Sequence, residues 1–360
     1  MRQPCTFRSE LLRAGMASDT FDFTTQHSFG LGEHHDIIWG LGAQFYQTKF
    51  KQLNSGILVL DNQAHQQLYN LFVQDELRIV PDRFTVTGGA KLEHNDYTGF
   101  ELEPSIRAAF KPTPQQTLWV AVSRAVRTPS VLDSEDVFAT AVGAPFVGPG
   151  GGLYVPRVVG NQNIESEILW AYEAGYRIQP TDRVSVDFAA FFNEYSRLVA
   201  LDQTTFTQFT PGTPVGTAAL LSQNSLSGKN YGAELSVTVS PLDAWRLVGS
   251  YSLLLSDTTG TDPENRAQSA PQHQASLRSS YDFNKQMSLD GQLRYVDHIA
   301  GVSAYVTADF RFSYRPTDRI ELSVVGQNLL DNQHPEQGVA FFAVNSEVPR
   351  SFYGKITWKF

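Results

Sequence analysis

The sequence has little cysteine, no long apolar run and no excess of basic charge, and each shortage excludes a class of protein. Its 360 residues contain one cysteine, Cys5, so no intrachain disulfide forms, and no Cys/His spacing of the zinc type occurs. No stretch approaches the roughly 18 to 20 apolar residues that a spanning helix requires, which excludes membrane helices. The formal net charge of −9 excludes a basic nucleic-acid footprint.

Catalytic and export motifs are also missing. The sequence contains no GxSxG, HExxH, CxxC or P-loop pattern, so we expect no enzyme, no catalytic residues, no cofactor and no bound metal. The segment Met1–Ala17 has only Leu11 and Leu12 where a secretory signal needs about seven consecutive apolar residues. We therefore expect the chain as written to carry no export signal.

Aromatic residues are abundant at 12%, and along much of the chain apolar residues recur at every second position. In Val302–Arg315 the apolar residues alternate with Ser, Thr, Asp and Arg, and Phe100–Lys111 and Tyr231–Ser240 repeat the pattern. Alternation of period two places successive side chains on opposite faces of a strand. These runs are about twice as long as strands of soluble sheets, which cluster near five or six residues, and they fit tilted membrane-spanning strands.

The connections between these runs alternate in length. The short turns are Val80–Arg83, Lys111–Gln115, Gln179–Arg183, Ser240–Ala244, Phe283–Gln286 and Arg315–Arg319. The long connections are Lys51–Ala64, Val126–Glu165, Asp202–Lys229, Thr258–Ser269 and Leu329–Pro349. Alternating short turns and long loops are typical of an outer-membrane barrel, with turns on the periplasmic side and loops outside.

The pattern predicts an all-β fold, a transmembrane antiparallel β-barrel with almost no helix. The predicted strands number sixteen: 3–13, 20–31, 36–51, 66–80, 83–95, 99–111, 115–126, 165–179, 183–200, 229–240, 243–257, 270–283, 286–297, 302–314, 318–328 and 350–360. We expect Val306, Phe310, Leu235, Val237, Phe188 and Leu102 to face lipid. We expect Asp309, Arg311, Glu234, Asp187 and Glu103 to face the lumen.

The connection Val126–Glu165 is the candidate binding region. It is long and has no clear periodicity, and structureless connections of that length are uncommon unless they are functional. It carries Arg127, Tyr154 and Arg157, whose side chains could stack on and hydrogen-bond an anionic or aromatic ligand. Ordinary loop packing is the alternative role for the same residues.

Seven segments in order resemble motifs of the barrel of TonB-dependent outer-membrane receptors. They are LFVQDE at Leu71–Glu76, SRAVRTPS at Ser123–Ser130, GNQNIESE at Gly160–Glu167, YEAGY at Tyr172–Tyr176, YGAEL at Tyr231–Leu235, APQHQASL at Ala270–Leu277 and VGQNLLDN at Val325–Asn332. The terminal Phe360 resembles the aromatic end that the outer-membrane assembly machinery recognises.

The resemblance implies a location in the outer membrane of a Gram-negative bacterium and TonB-dependent uptake of a scarce ligand such as an iron–siderophore complex, haem or cobalamin. It implies outer-membrane lipid, a metal chelate or similar small ligand and the TonB–ExbB–ExbD system as partners, and no nucleic acid. The family has a plug domain, a TonB box and a 22-strand barrel. We therefore expect residues 1–360 to be one N-terminally truncated barrel domain without a plug, unable by itself to perform energised uptake.

Two other functions are compatible with the pattern. The first is a passive porin-like or structural outer-membrane barrel, which the absence of a plug favours. The second is a soluble all-β enzyme or adhesin module, whose outward apolar faces would pack on a second sheet. Solubility without detergent would support the soluble module, whereas heat-modifiable migration in detergent would oppose it.

Overall fold

The computed structural model describes residues 14–52, 57–59, 63–134, 138–141, 146–148, 151–207, 216–260, 266–337 and 346–360. Within these residues a four-residue helix, α1 (Val131–Ser134), and a 3₁₀ turn, Arg266–Gln268, interrupt a succession of strands. In chain order the strands are β1 (Ala14–Leu31), β2 (His35–Gln52), β3 (Ile57–Val59), β4 (Gln63–Val80), β5 (Phe84–Asn95), β6 (Gly99–Phe110), β7 (Gln116–Arg127), β8 (Phe138–Ala141), β9 (Phe146–Val147), β10 (Leu153–Val159), β11 (Glu167–Thr181), β12 (Val184–Thr207), β13 (Gly216–Leu242), β14 (Trp245–Thr259), β15 (His273–Asp282), β16 (Met287–Val296), β17 (Tyr305–Thr317), β18 (Ile320–Gln327), β19 (Gln333–Pro335), β20 (Glu347–Pro349) and β21 (Ser351–Trp358).

Fifteen of these strands form one antiparallel sheet in which each strand pairs with the next long strand along the chain. The order continues without a crossover from β12 to β18 and ends at β21. The predicted antiparallel meander is confirmed, and fifteen of the sixteen predicted strands correspond to these elements. The remaining one, 3–13, lies outside the described residues.

The antiparallel order places the connections at two opposite rims. We call the edge that carries the short turns the turn rim and the opposite edge the loop rim. The turn rim holds the six predicted turns, for example 81–83 between β4 and β5 and 111–115 between β6 and β7. The loop rim holds the long connections, so the predicted separation of turns and loops is confirmed.

The two faces of the sheet differ in polarity, and we call them the apolar face and the polar face. The predicted lipid-facing residues Leu102, Phe188, Leu235, Val306 and Phe310 are all exposed although they are large and apolar. The buried apolar residues are mostly scattered along the described part of the chain, and the cluster that they form is small: Phe50 and Ala64, with Val131 packed against them. This arrangement leaves the apolar side chains on the outside of the sheet, as a wall that faces lipid requires.

Two edges of the sheet lack a second partner within the described residues. There β1 pairs only with β2, and β21 pairs only with β18. Both edge strands run from the loop rim to the turn rim, because an even number of antiparallel steps separates them. Direct pairing of β1 with β21 would therefore be parallel. A closed barrel that contains these strands and is antiparallel throughout must consequently have an even total number of strands.

The connection predicted over Asp202–Lys229 is mostly strand, which corrects that boundary. Strands β12 and β13 are 24 and 27 residues long and extend well past the loop rim. Their outer parts are rich in Thr, Ser and Gln on both faces, so the alternation fades although Thr still favours a strand. Period-two alternation reports a face buried in lipid and gives no signal where both faces meet water.

Candidate functional site

The polar face carries charged side chains of both signs, many of them paired. Asp187 is ion-paired with Arg177, and Glu103 accepts a 2.7 Å contact from the ammonium of Lys91. Arg311 donates to Glu321 on the next strand. The predicted lumen-facing residues therefore lie on the polar face.

Two open grooves run along this face. One has a volume of about 520 Å³ and is lined by Asp187, Glu234, Ser250, Gln274 and Arg294, among others. The second, of about 340 Å³, is lined in part by Arg246, Arg278, Asp290, Asp309 and Arg311. Mixed polar groups of this kind suit a hydrated passage or contact with a polar surface.

The loop rim carries a second, smaller set of strands. Strand β3 pairs with β8, β8 pairs with β10, and β10 lies parallel to the outer part of β13 at Tyr154–Val159. These pairings join the predicted loops 51–64, 126–165 and 202–229 into one sheet above the rim. The connection Val126–Glu165, expected to lack regular structure, therefore contains three short strands.

Arg127 lies at the loop-rim end of β7 and is held by an acidic partner. Its Nε donates to Glu167 Oε2 at 2.6 Å and a terminal nitrogen donates to Glu167 Oε1 at 2.8 Å, while Asp133 lies 3.8 Å away. The same carboxylate accepts the backbone N–H of Val199 at 2.8 Å. The Arg127 side chain is still 55% exposed, so the guanidinium remains reachable from solvent.

Tyr154 and Arg157 lie on β10, a different strand from the one that carries Arg127. Tyr154 is 1% exposed and packs edge-on against Phe206 of β12, with ring centroids 5.0 Å apart. Its ring also lies against Gly148, where an added side chain would overlap it. The backbone of Arg157 pairs with Ala141 and Ala219, and its side chain lies outside the described part of the chain.

A cluster that the alternation did not reveal lies at the loop rim beside β16 and β17. Arg294 is ion-paired with Glu336 at 2.5 Å and lies over the ring of Tyr305, 5.9 Å from its centroid. The ring of His334, 6% exposed, lies 4.3 Å from that of Tyr305. Glu336 and His334 come from the connection after β18, where no periodic pattern relates them to Arg294.

The connection after β16 carries a local acid–imidazole pair. The backbone N–H of His298 donates to Asp297 Oδ1 at 2.8 Å, and His298 Nδ1 lies 2.9 Å from the same oxygen. These hydrogen bonds hold the pKa of the Asp297 carboxyl below its usual value. The pair is local to this connection.

Metal and membrane-helix features are limited in the described residues. Within them no group of three or more His, Cys, Asp and Glu side chains is arranged to hold a metal ion. No helix in the same part of the chain combines the length and apolar content needed to cross a membrane.

Comparison with known families identifies the architecture. The model of the TonB dependent receptor-like β-barrel family matches residues 6–329. The chain belongs to this family. Receptor barrels of this family are outer-membrane proteins of Gram-negative bacteria, and the family groups transport receptors rather than enzymes. No curated protein matches the chain in sequence.

Solved receptors share the fold of this receptor barrel at low sequence identity. The ferric enterobactin receptor of Pseudomonas aeruginosa is 17% identical with a TM-score of 0.76, and the match covers 96% of this chain and 54% of that chain. The siderophore receptor PirA of the same organism is 16% identical with a TM-score of 0.72, covering 96% and 57%. PirA of Acinetobacter baumannii is 16% identical with a TM-score of 0.74, covering 96% and 55%.

The receptor barrel spans about half the length of these solved receptors. At these identities the likeness shows the fold. The expected family and the all-β barrel fold are confirmed by both comparisons.

Proposed function

We propose that this receptor barrel forms the wall of a TonB-dependent transporter for a scarce metal chelate, such as an iron–siderophore complex, haem or cobalamin, in the outer membrane of a Gram-negative bacterium. The observation that carries the proposal is the family match over residues 6–329. The two-faced sheet supports it, because its apolar face suits lipid and its polar face suits a hydrated passage. Residues 1–360 act as one barrel domain, with the TonB–ExbB–ExbD system as the energy-coupling partner.

The orientation follows from the lengths of the connections. In outer-membrane barrels the short turns face the periplasm and the long connections face outwards. The turn rim of this chain is therefore periplasmic, and the loop rim, with its small sheet built from β3, β8, β10 and the outer part of β13, is extracellular.

The ligand region in this proposal is the loop-rim sheet with Arg127, Tyr154 and Arg157. Arg127 offers an exposed guanidinium that, beyond its two hydrogen bonds to Glu167, keeps further N–H groups for the oxygens of an anionic chelate. Tyr154 has a positioning role: its buried ring packs on Phe206 and thereby holds β10, the strand that carries Arg157. Solved relatives support a ligand of this class, since two of them are a ferric enterobactin receptor and a siderophore receptor.

The test is a binding titration on the purified chain folded in detergent. Quenching of tryptophan fluorescence is recorded with a ferric catecholate, a ferric hydroxamate, haem and cobalamin as separate probes. We expect one probe to bind saturably, and Arg127→Gln and Arg157→Gln each to weaken it about ten-fold, the size of one hydrogen bond to a charged group. Arg183→Gln, on the opposite rim where Arg183 pairs with Asp243, should leave the binding unchanged.

A second measurement separates energised uptake from passive flow. The chain is directed to the outer membrane of a receptor-deficient strain, and accumulation of the bound chelate is measured with and without TonB. Accumulation that depends on TonB would support the transporter function and would contradict the expectation that residues 1–360 cannot perform energised uptake by themselves. Equal accumulation without TonB would instead support a porin-like barrel, and an absence of saturable binding to every probe would contradict the proposal.

A further inference from the structure

The connection after β18 forms a short two-stranded stem at the loop rim. Strand β19 (Gln333–Pro335) pairs with β20 (Glu347–Pro349) in a ladder separate from the main sheet, and we call these two strands the stem. Near its base, the side-chain amide of Asn328 donates to the Val348 carbonyl at 3.0 Å. Because this contact joins two neutral groups, it holds the base of the stem independently of pH.

The stem also touches the wall through charged and aromatic side chains. The ring of His334 lies 4.3 Å from that of Tyr305, with 30° between the two planes. Glu336, which directly follows β19, is ion-paired with Arg294 at 2.5 Å. Arg294 is two residues from the loop-rim end of β16 and lines the polar groove of about 520 Å³. The stem therefore meets the loop-rim end of this groove.

The imidazole of His334 is buried, with acidic side chains on both of its nitrogens. Only 6% of the side chain is exposed, Nε2 lies 3.3 Å from Glu336 Oε1, and Nδ1 lies 3.9 Å from Asp331 Oδ2. Two further titratable groups face this cluster from the wall: the Arg294 guanidinium, which pairs with the Glu336 carboxylate, and the Tyr305 phenol. The strand opposite, β20, places an apolar residue across from the ring.

The nitrogen Nδ1 of His334 is unsatisfied in this arrangement. It is buried and has no hydrogen-bond partner among the described residues. A neutral imidazole carries one N–H, so one of its nitrogens turns a lone pair towards a carboxylate. A protonated imidazole carries two N–H groups, one for each acid, and its charge is attracted to the face of the Tyr305 ring. The contacts around His334 therefore complement its protonated form.

From this geometry we propose that His334 fastens the stem to the wall in a proton-dependent way. The protonated ring bridges Asp331 and Glu336 and lies on Tyr305, which keeps the Glu336 carboxylate on Arg294. When the proton leaves, one of the two N–H contacts is lost, and the stem separates from the wall and uncovers the loop-rim end of the groove. The inference goes beyond the proposed function and does not depend on which ligand is transported.

The charges give the direction of the pH dependence. Histidine is the side chain whose ordinary titration falls between about pH 5 and 8. Carboxyl and guanidinium groups ordinarily keep their charges throughout that range. Attachment of the stem should therefore be strongest at the acidic end of this range and weakest at the alkaline end.

The test is electron paramagnetic resonance of a nitroxide on the stem, in the full chain folded in detergent and checked by heat-modifiable migration. The label is placed at the exposed position Glu347→Cys of β20, in a chain carrying Cys5→Ser. We expect an immobilised spectrum at about pH 5.5 and a gain of a mobile component at about pH 8.5. His334→Gln should show the mobile component at both values, whereas His298→Gln, beside Asp297 in the connection after β16, should keep the pH dependence.

Access to the groove is measured separately. Ser276 lies opposite Arg294 in the register of β15 and β16 and lines the same groove. A fluorophore at Ser276→Cys is quenched by acrylamide, a neutral molecule whose approach does not respond to the charge of the protein. We expect quenching to rise with pH together with the mobile component at Glu347→Cys, and to be high at both pH values in His334→Gln.

Three results would overturn this fastening. They are a spectrum at Glu347→Cys that does not change with pH, a change that persists in His334→Gln, and an equal change for a nitroxide at Lys285→Cys, in a turn of the opposite rim, since the whole chain would then loosen. Because no chelate is present, any of these results would leave the uptake proposal standing. Conversely, a lack of saturable binding to every chelate would leave the fastening of the stem standing.

Discussion

At the scale of single residues, Gly175 permits close packing on the polar face. A side chain at Gly175 of β11 would overlap the indole of Trp119 on β7, and the guanidinium of Arg107 lies 4.6 Å from the centroid of that indole. Gly175 therefore lets three neighbouring strands pack a cation and an aromatic ring against the backbone. The attraction between the guanidinium of Arg107 and the indole of Trp119 further stabilises this packing.

Gly175→Ala should displace the Trp119 ring and lower the free energy of unfolding by about 1–3 kcal/mol, the usual cost of overpacking. The change is measured by urea unfolding in detergent together with the emission of tryptophan. Gly249→Ala is the matched control, because Gly249 also lies in a long strand and an added Cβ meets no atom within 4 Å. Equal effects of the two substitutions would show that the packing of Trp119 has no role.

The residues that carry charge could be placed on a face from sequence, but their partners could not. Alternation correctly places Asp187, Glu103 and Arg311 on the polar face, since neighbouring positions point to opposite sides. It does not predict that Arg127 meets Glu167 or that Arg294 meets Glu336, because these contacts depend on register between strands and on the course of a connection. Nor does it predict that Tyr154 is buried.

At the scale of the strand, the opposite faces of β13 give a direct comparison. Leu235 is exposed on the apolar face, and Ser236 lines a groove on the polar face beside Asp187 and Glu234. Leu235 lies seven residues from the turn-rim end of the strand at Leu242, so it lies well inside the apolar band. Neighbouring positions on one strand thus sample lipid and water at nearly the same depth.

Leu235→Arg should make folding into bilayers less favourable by about 2–4 kcal/mol, the cost of a lipid-facing Arg near the midplane. Ser236→Arg should have little effect, since its side chain would enter a hydrated groove beside two carboxylates. Folding is followed by heat-modifiable migration after dilution from urea into vesicles. A large loss in Ser236→Arg and none in Leu235→Arg would reverse the assignment of the faces.

The sequence predicts strands best where one of their faces meets lipid. Strands β4, β5 and β6 match the predicted ranges within a few residues, because their alternation is continuous. The outer parts of β12 and β13 and the short strands β8, β9 and β10 were predicted as connections. These strands lie beyond the loop rim and are stabilised by interstrand pairing. Their sequences lack the hydrophobic periodicity that would predict a strand.

At the scale of the whole molecule, the described fold is a continuous antiparallel wall with a lipid-compatible side and a hydrated side. Strand direction and the order of turns and loops follow from the sequence pattern, and so do the fifteen strands of the antiparallel sheet, whereas the short strands at the loop rim do not. The parallel orientation of the two edge strands becomes evident only once the strands are counted in the structure. It implies that a closed, wholly antiparallel barrel adds an odd number of strands to the fifteen described here.

The measurement that tests this account most directly is a scan of single cysteines along β17, from Val306 to Ser313, in a chain carrying Cys5→Ser. Each cysteine is labelled with a fluorophore in vesicles and quenched either by a nitroxide on the lipid chains or by iodide in the water. The account predicts that Val306, Ala308, Phe310 and Phe312 positions respond to the lipid quencher and that Thr307, Asp309, Arg311 and Ser313 positions respond to iodide. Iodide quenching at all eight positions, without alternation, would contradict a membrane wall.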